Sequence, residues 1–296
     1  MTGGRGVLMS KAKLWIVATG ALVVLCPSVV SVQQPGAGRG QGGGGFKQPD
    51  PIDFNEHEGW TSLFDGKTLN GWSGDSLWKV EDGAITIEST CEKPTGTVYL
   101  VWKGAEAADF ELKLEMKGTG NINGGVQYRG WIAPKPPRRG GPPPAGRAGQ
   151  AAACEGGAAR GTPPSDESEA QWNMWGAQYD FDAANRFTGQ FYEQSTGRGI
   201  IAWKGQVVRI LPGDTRRLLA TVGDQASVDA IYKPNDWNQL HIIAVGNHMT
   251  HLLNGRVISV LVDEDTRRVP KSGIIGLEVE ATGKLFARNI WLKRLP

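Results

Sequence analysis

Phe110-Glu-Leu-Lys-Leu-Glu-Met-Lys117 alternates apolar and charged residues without a break. Successive side chains of a strand point to opposite faces. Phe110, Leu112, Leu114 and Met116 therefore share one side and the charges share the other. That is an antiparallel strand with one face in a core and one in water.

The pattern continues downstream. In Gly120-Asn-Ile-Asn-Gly-Gly-Val-Gln-Tyr-Arg-Gly-Trp131, strand geometry puts Ile122, Val126 and Tyr128 on one face and Asn123, Gln127, Arg129 and Trp131 on the other. Gly124 and Gly125 leave room for a ligand or a neighbouring strand to come close. In Trp175-Gly-Ala-Gln-Tyr-Asp-Phe-Asp182, the apolar set is Trp175, Ala177, Tyr179 and Phe181, and the polar set is Gln178, Asp180 and Asp182. A return strand, Thr188-Gly-Gln-Phe-Tyr-Glu193, sends Tyr192 and Glu193 to opposite faces.

Further out, Asp82-Gly83 marks a hairpin, and Trp237 to Val262 reads as a three-strand meander with turns at Gly246-Asn247 and Asn254-Gly255. Thr215 to Thr221 reads as a short helix or a loop, and no stretch has helical periodicity. Regularly spaced short strands predict an all-β, two-sheet antiparallel sandwich.

The ends and one interruption differ in kind. Arg5, Lys11 and Lys13 precede an apolar run from Leu14 to Cys26, and Val29 and Ser31 offer a cleavage site. Residues 1–31 are read as a signal peptide, with an uncleaved anchor as the alternative, so export to a periplasm or beyond is expected. After cleavage no membrane span is expected. Residues 32–52 are a Gly/Gln/Pro linker, and the folded domain is expected over 53–296. Eight of the chain's 17 prolines fall within residues 133–170, an insertion expected to lack a core, either disordered or overhanging a site. Of 3 cysteines, Cys91 and Cys154 remain after processing, as one disulfide or as free thiols.

A net charge of +2 on 296 residues gives no electrostatic case for nucleic acid. There is no nucleophile elbow, Walker loop, dinucleotide fingerprint or zinc spacing. His248 and His251 point to opposite faces of one strand and read as surface or edge residues. Asp180 and Asp182 share a face and could bind Ca²⁺ through their oxygens, but two carboxylates are too few to claim a site, so no metal or cofactor is expected. Planar polar side chains beside aromatic plates suit a carbohydrate: amides and carboxylates meet hydroxyls, and an indole meets C–H faces.

Gly59-Trp-Thr-Ser-Leu-Phe-Asp-Gly-Lys-Thr-Leu-Asn-Gly-Trp72 resembles the opening of the 3-keto-disaccharide hydrolase family. Matching pieces follow in order: Asn123 to Gly130, Gly176 to Asp180, Thr188 to Tyr192, Trp237-Asn238, Leu253 to Gly255, Gly273 to Leu277 and Arg288 to Ile290. The resemblance implies a concanavalin A-like lectin/glucanase jelly roll with a sugar-facing sheet. It departs at Gly176, where many members carry Glu, and at Glu278, where many carry Gln.

The resemblance also implies cleavage of a glycoside oxidised to a 3-ketone, by base-assisted elimination. Asp180 or Glu193 is the expected base, and Arg129 the expected stabiliser of the ketone or enolate, unless it forms a buried ion pair with Asp180 or Asp182. Asn123, Gln127 and Gln178 are expected to orient hydroxyls, Trp131 to stack, and Asp182, Tyr192 and Glu278 to contact substrate. A non-catalytic, lectin-like binding module is the alternative.

Overall fold

The computed structural model describes residues 49–134 and 172–296. The expected signal peptide, most of the expected linker and nearly all of the insertion lie outside the described residues. Pro51–Pro296 form one compact unit.

Two sheets make the fold. The larger has ten strands. In spatial order it runs β12 (Thr215–Thr221), β11 (Gln206–Leu211), β15 (Arg256–Asp263), β14 (His248–Leu253), β13 (Asn238–Val245), β6 (Phe110–Gly120), β17 (Gly283–Arg294), β4 (Ala84–Ser89) and β3 (Lys79–Glu81). The short β1 (Thr61–Ser62) pairs with β17. The smaller sheet has seven strands: β10 (Gly199–Ala202), β9 (Phe191–Gln194), β8 (Met174–Asp182), β7 (Asn123–Ile132), β16 (Ile274–Glu280), β5 (Val98–Trp102) and β2 (Trp72–Gly74). Every pairing is antiparallel except β11 with β15. The all-β sandwich expected from alternation is the observed architecture.

The core lies between the sheets. Phe110, Leu112, Leu114 and Met116 of β6 are fully buried and meet Val126, Tyr128, Tyr179, Phe181 and Leu277 from the smaller sheet. Burying one such side chain contributes roughly 1.5–3 kcal/mol. Asn254 and Gly255, both at positive φ, turn the chain from β14 to β15, and Asp82 and Gly83 do the same between β3 and β4.

Two local expectations need correction, and one open alternative is decided. Thr215–Thr221 is neither helix nor loop but the edge strand β12. It pairs only with β11, so most of its side chains face solvent and leave no alternation to read. One short helix, α1 (Gln225–Asp229), follows it, capped by Asp224 Oδ1, which accepts from Ser227 N at 2.8 Å. His251 is no surface residue: it is wholly buried against Phe191, Tyr128 and Tyr179. Cys91 is disulfide-bonded, and since the other cysteines are Cys26 and Cys154, its partner lies outside the described residues.

Candidate active site

Register fixes which side chains share a surface. Val126, Tyr128, Tyr179, Phe181 and Leu277 face the core. Their sequence neighbours must face the other way. Asn123 lies opposite Asp182, Gly125 opposite Asp180, and Gln127 opposite Gln178. On the far side of β7, Glu278 lies opposite Gly125 and Glu280 opposite Asn123. Tyr192 lies opposite Gln178 from β9. Asn123, Gln127, Gln178, Asp180, Asp182, Tyr192 and Glu278 thus come together on the outer face of the smaller sheet.

Gly125 is the centre of this array. Asp180 and Glu278 bracket it from the two neighbouring strands, about 10 Å apart at Cα by two strand spacings. A Cβ on Gly125 would lie 2.2 Å from Tyr179 O and 3.0 Å from Gln178 Nε2. The glycine therefore admits close strand pairing and lets the Gln178 amide lie across β7. That amide donates to Glu278 Oε2 at 2.9 Å and to Gly124 O at 3.2 Å, while its oxygen accepts from Gln127 Nε2 at 3.2 Å. Asp180 Oδ2 accepts from Gln190 Nε2 at 2.5 Å. Asn123 Nδ2 donates to Glu280 Oε1 at 2.9 Å.

The amides are oriented by these bonds, and their other ends carry a signal. Among the described residues, Asn123 Oδ1, Gln127 Oε1 and Gln190 Oε1 are buried acceptors that meet no donor. A buried polar atom left unpaired costs about 1–3 kcal/mol. Three acceptors on one face suit a ligand rich in hydroxyl donors. Toward one end, Tyr99, Val101 and Met174 form a small apolar cluster with Trp172 and Ile274. Tyr99 OH there accepts from Gln194 Nε2 at 2.8 Å.

Sequence reasoning missed Tyr99, Gln190, Gln194 and Glu280. Gln190 sits just before β9, where no periodicity was available. Val98 to Val101 is apolar on both faces, so alternation could not single out Tyr99.

Asp182 is on this face, but its carboxylate organises the next loop. Oδ1 accepts from Arg186 N at 2.5 Å and Oδ2 from Arg186 Nε at 2.7 Å. Among the described residues no three His, Cys, Asp or Glu side chains group as metal ligands would.

Arg129, Trp131 and Glu193 stand elsewhere. Between Tyr128 and Trp131 the β7–β8 register slips by one residue. Arg129 takes φ +47° there. A bulge of this kind reverses the facing of everything beyond it. Trp131 is paired instead with Trp175, its ring stacked at 6.1 Å. Arg129 is buried and binds Ala108 O (2.8 Å), Gly246 O (2.6 Å) and Asp109 Oδ1 (2.9 Å). Its ion-pair partner is thus Asp109, not Asp180 or Asp182.

Glu193 shares the inner face of β9 with Phe191, opposite Ala177. Its Oε1 accepts from Arg198 Nη1 at 2.7 Å, and the same nitrogen reaches Asp263 Oδ2 on the larger sheet at 2.7 Å. Burial raises the Glu193 carboxyl above its ordinary pKa, against the pull of Arg198. Arg129 and Glu193 both line an inter-sheet cavity of about 10 Å³, room for one water and not for a sugar.

Arg129→Met is expected to destabilise the fold by about 2–3 kcal/mol, because two backbone carbonyls lose their donor and Asp109, still bonded to Gly246 N, loses its cation. Urea denaturation measures this. If turnover per folded molecule also collapses, Arg129 acts in the reaction after all.

The sequence pattern of the 3-keto-alpha-glucoside-1,2-lyase-like domain matches residues 59–293. The chain belongs to this family. The family domain thus spans both sheets and every residue of the face just described. A curated 3-keto-disaccharide hydrolase of Bacteroides thetaiotaomicron is 33% identical over 86 residues, 26% of this chain and 29% of the relative. The match thus covers less than a third of that protein.

Among solved structures, a candidate glycosyl hydrolase of Parabacteroides distasonis aligns over 81% of this chain and 95% of its own, with TM-score 0.45 and 16% identity. The carbohydrate binding module CBM66 of Bacillus subtilis aligns over 75% and 95%, with TM-score 0.42 and 15% identity.

Proposed function

We propose that this protein cleaves 3-keto-glycosides at the glycosidic bond. One observation carries the reading: two carboxylates, Asp180 and Glu278, bracket Gly125 on a face that also holds three buried amide oxygens without donors among the described residues. Family membership supports the choice of a 3-keto sugar as substrate.

A ketone at C3 acidifies the proton on C2. Asp180 removes that proton, and the electron pair enters the C3 carbonyl as an enolate. Collapse of the enolate forms the C1–C2 double bond and breaks the bond from C1 to the glycosidic oxygen. Glu278, protonated at this point, delivers a proton to the departing oxygen. Water then adds across the double bond, hydroxyl to C1 and proton to C2. Release before that addition makes the protein a lyase; release after it makes it a hydrolase. Asn123, Gln127 and Gln190 accept from substrate hydroxyls and fix the ring. Arg129 and Glu193 have no part in this scheme, because they lie between the sheets.

Export remains part of the proposal. A basic start followed by an apolar run fits a signal peptide, and a disulfide at Cys91 fits an oxidising compartment.

The deciding experiment incubates the protein with a 3-keto-disaccharide and with its unoxidised parent, and follows release of the leaving sugar. Cleavage of the keto form alone is expected. Cleavage of both would replace enolate chemistry with ordinary glycosidase action. Binding without cleavage would make the protein a lectin-like module.

A further inference from the structure

At the end of β8 where Asp182 stands, the chain builds a second feature that the scheme above does not use. The turn after β10 exposes Trp203, which is 49% accessible. An exposed indole offers a flat apolar face with a polar N–H at its edge. The indole is not carried on a loose loop. Trp203 N donates to Gln206 Oε1 at 3.0 Å, and Gln206 N donates back to Trp203 O at 3.1 Å. Gly205 at the turn donates to Ile258 O at 2.7 Å and accepts from Val222 N at 2.9 Å. Lys204 is buried and paired with Asp229 at 2.5 Å. The backbone that carries the plate is therefore fixed.

Beside it lies Arg186. Asp182 engages Nε and Nη2 of this guanidinium, leaving Nη1 for a further acceptor. Trp203, Arg186, Gln206 and Gln225 line one open groove of about 660 Å³, within the range of small-molecule sites. One residue links the groove to the candidate active-site face: Asp182, on that face, binds Arg186, which lines the groove. Asp182 ends the polar row of β8 and holds Arg186 in place.

We infer that this groove is a distal saccharide subsite: Trp203 stacks on the apolar face of a neutral pyranose while Arg186 and the amides bind its hydroxyls. The inference rests on the carbohydrate reading above and extends it, since it makes the preferred substrate longer than a disaccharide. Neutrality follows from the partners of the two cations in the groove. The charges of Arg186 and Lys204 are already balanced by Asp182 and Asp229, so an anionic sugar gains no unpaired cation.

The test uses the full-length protein labelled with 5-fluorotryptophan, the Trp203 resonance being identified by its loss in Trp203→Phe. It is titrated with a 3-keto-disaccharide and a 3-keto-tetrasaccharide of the same linkage, and turnover of each is measured. The tetrasaccharide is expected to shift the Trp203 resonance. In Trp203→Ala, the advantage of tetrasaccharide over disaccharide in kcat/KM should fall at least tenfold, with Trp203→Phe retaining part of it. Turnover of both sugars with a silent Trp203 resonance overturns the subsite and leaves the cleavage reading intact. No turnover, but a shifted resonance, sinks the cleavage reading and keeps the subsite. No turnover and no shift removes both.

Discussion

Asp180→Asn is expected to lower kcat on a 3-keto-disaccharide by about 10³-fold, with little change in folding. The substitution keeps the shape of the side chain, and its amide oxygen still accepts from Gln190 Nε2. What is lost is basicity. Two readouts separate this from a positional effect. Wild-type protein in heavy water should exchange the C2 proton of the keto sugar, and the variant should not. Binding of the substrate should stay within a few-fold, because the hydroxyl-orienting amides are untouched.

Glu278→Gln should behave differently. If Glu278 protonates the departing oxygen, its loss costs about 10² when a sugar departs and much less when an acidic phenol departs, since the phenolate needs no proton. Full turnover by both variants would place the chemistry away from this face. Equal losses on every leaving group would make Glu278 a ground-state contact.

How much of this was legible in the sequence depended on the element. β6 and the regular part of β8 follow strict alternation, so their facing could be read directly, and with it the shared face of Gln178 and Asp180. β7 could be read only as far as Tyr128. Beyond it one extra residue at positive φ reverses the pattern, and no residue type there announces it, since Arg129 is not a glycine. Gly130 and Gly176 were the available hint. A Cβ on Gly176 would lie 2.9 Å from Gly130 Cα, so two glycines facing across a strand pair mark the crowded bulge.

Glu193 was a different failure. Tyr192 and Glu193 were correctly sent to opposite faces, yet Phe191 shares a face with Glu193 and belongs in a core. Parity with Phe191 already placed Glu193 inside. The same argument applies to His251, flanked at two residues by Met249 and Leu253, both buried. A charged or titratable residue in phase with apolar neighbours is a buried group awaiting partners. For Glu193 the partner is Arg198, five residues on, and for Arg198 it is also Asp263 from the opposite sheet. Pairing over that separation is set by how the sheets stack, which no local pattern encodes.

His251 carries the second large effect, and its direction follows from its surroundings. The ring is stacked on Phe191 with centroids 3.6 Å apart, and Tyr179 and Tyr128 close over it. Gly189 O lies 3.0 Å from Nδ1 and can only accept, so Nδ1 carries the hydrogen. Nε2 is then the acceptor for the Tyr128 hydroxyl at 2.8 Å. That hydroxyl stays protonated, because burial drives its pKa upward. The imidazole is neutral, and burial pushes its pKa down to about 3, far more than the backbone contacts lift it. In the unfolded chain the same group titrates near 6.5. Between these values the unfolded chain binds a proton that the native protein refuses. Stability is therefore expected to fall as pH drops through 6.5, by about 1.4 kcal/mol per pH unit, until the native ring protonates near pH 3. The accumulated loss is on the order of 5 kcal/mol. His251→Phe removes this dependence but leaves the Tyr128 hydroxyl without its acceptor, so it should be less stable at pH 7 and lose less on acidification. Urea denaturation of both proteins from pH 7 to pH 4 measures the difference in slope. Parallel curves would mean that the native ring protonates freely, and hence that the contacts of Tyr128 and Phe191 do not hold it in the core.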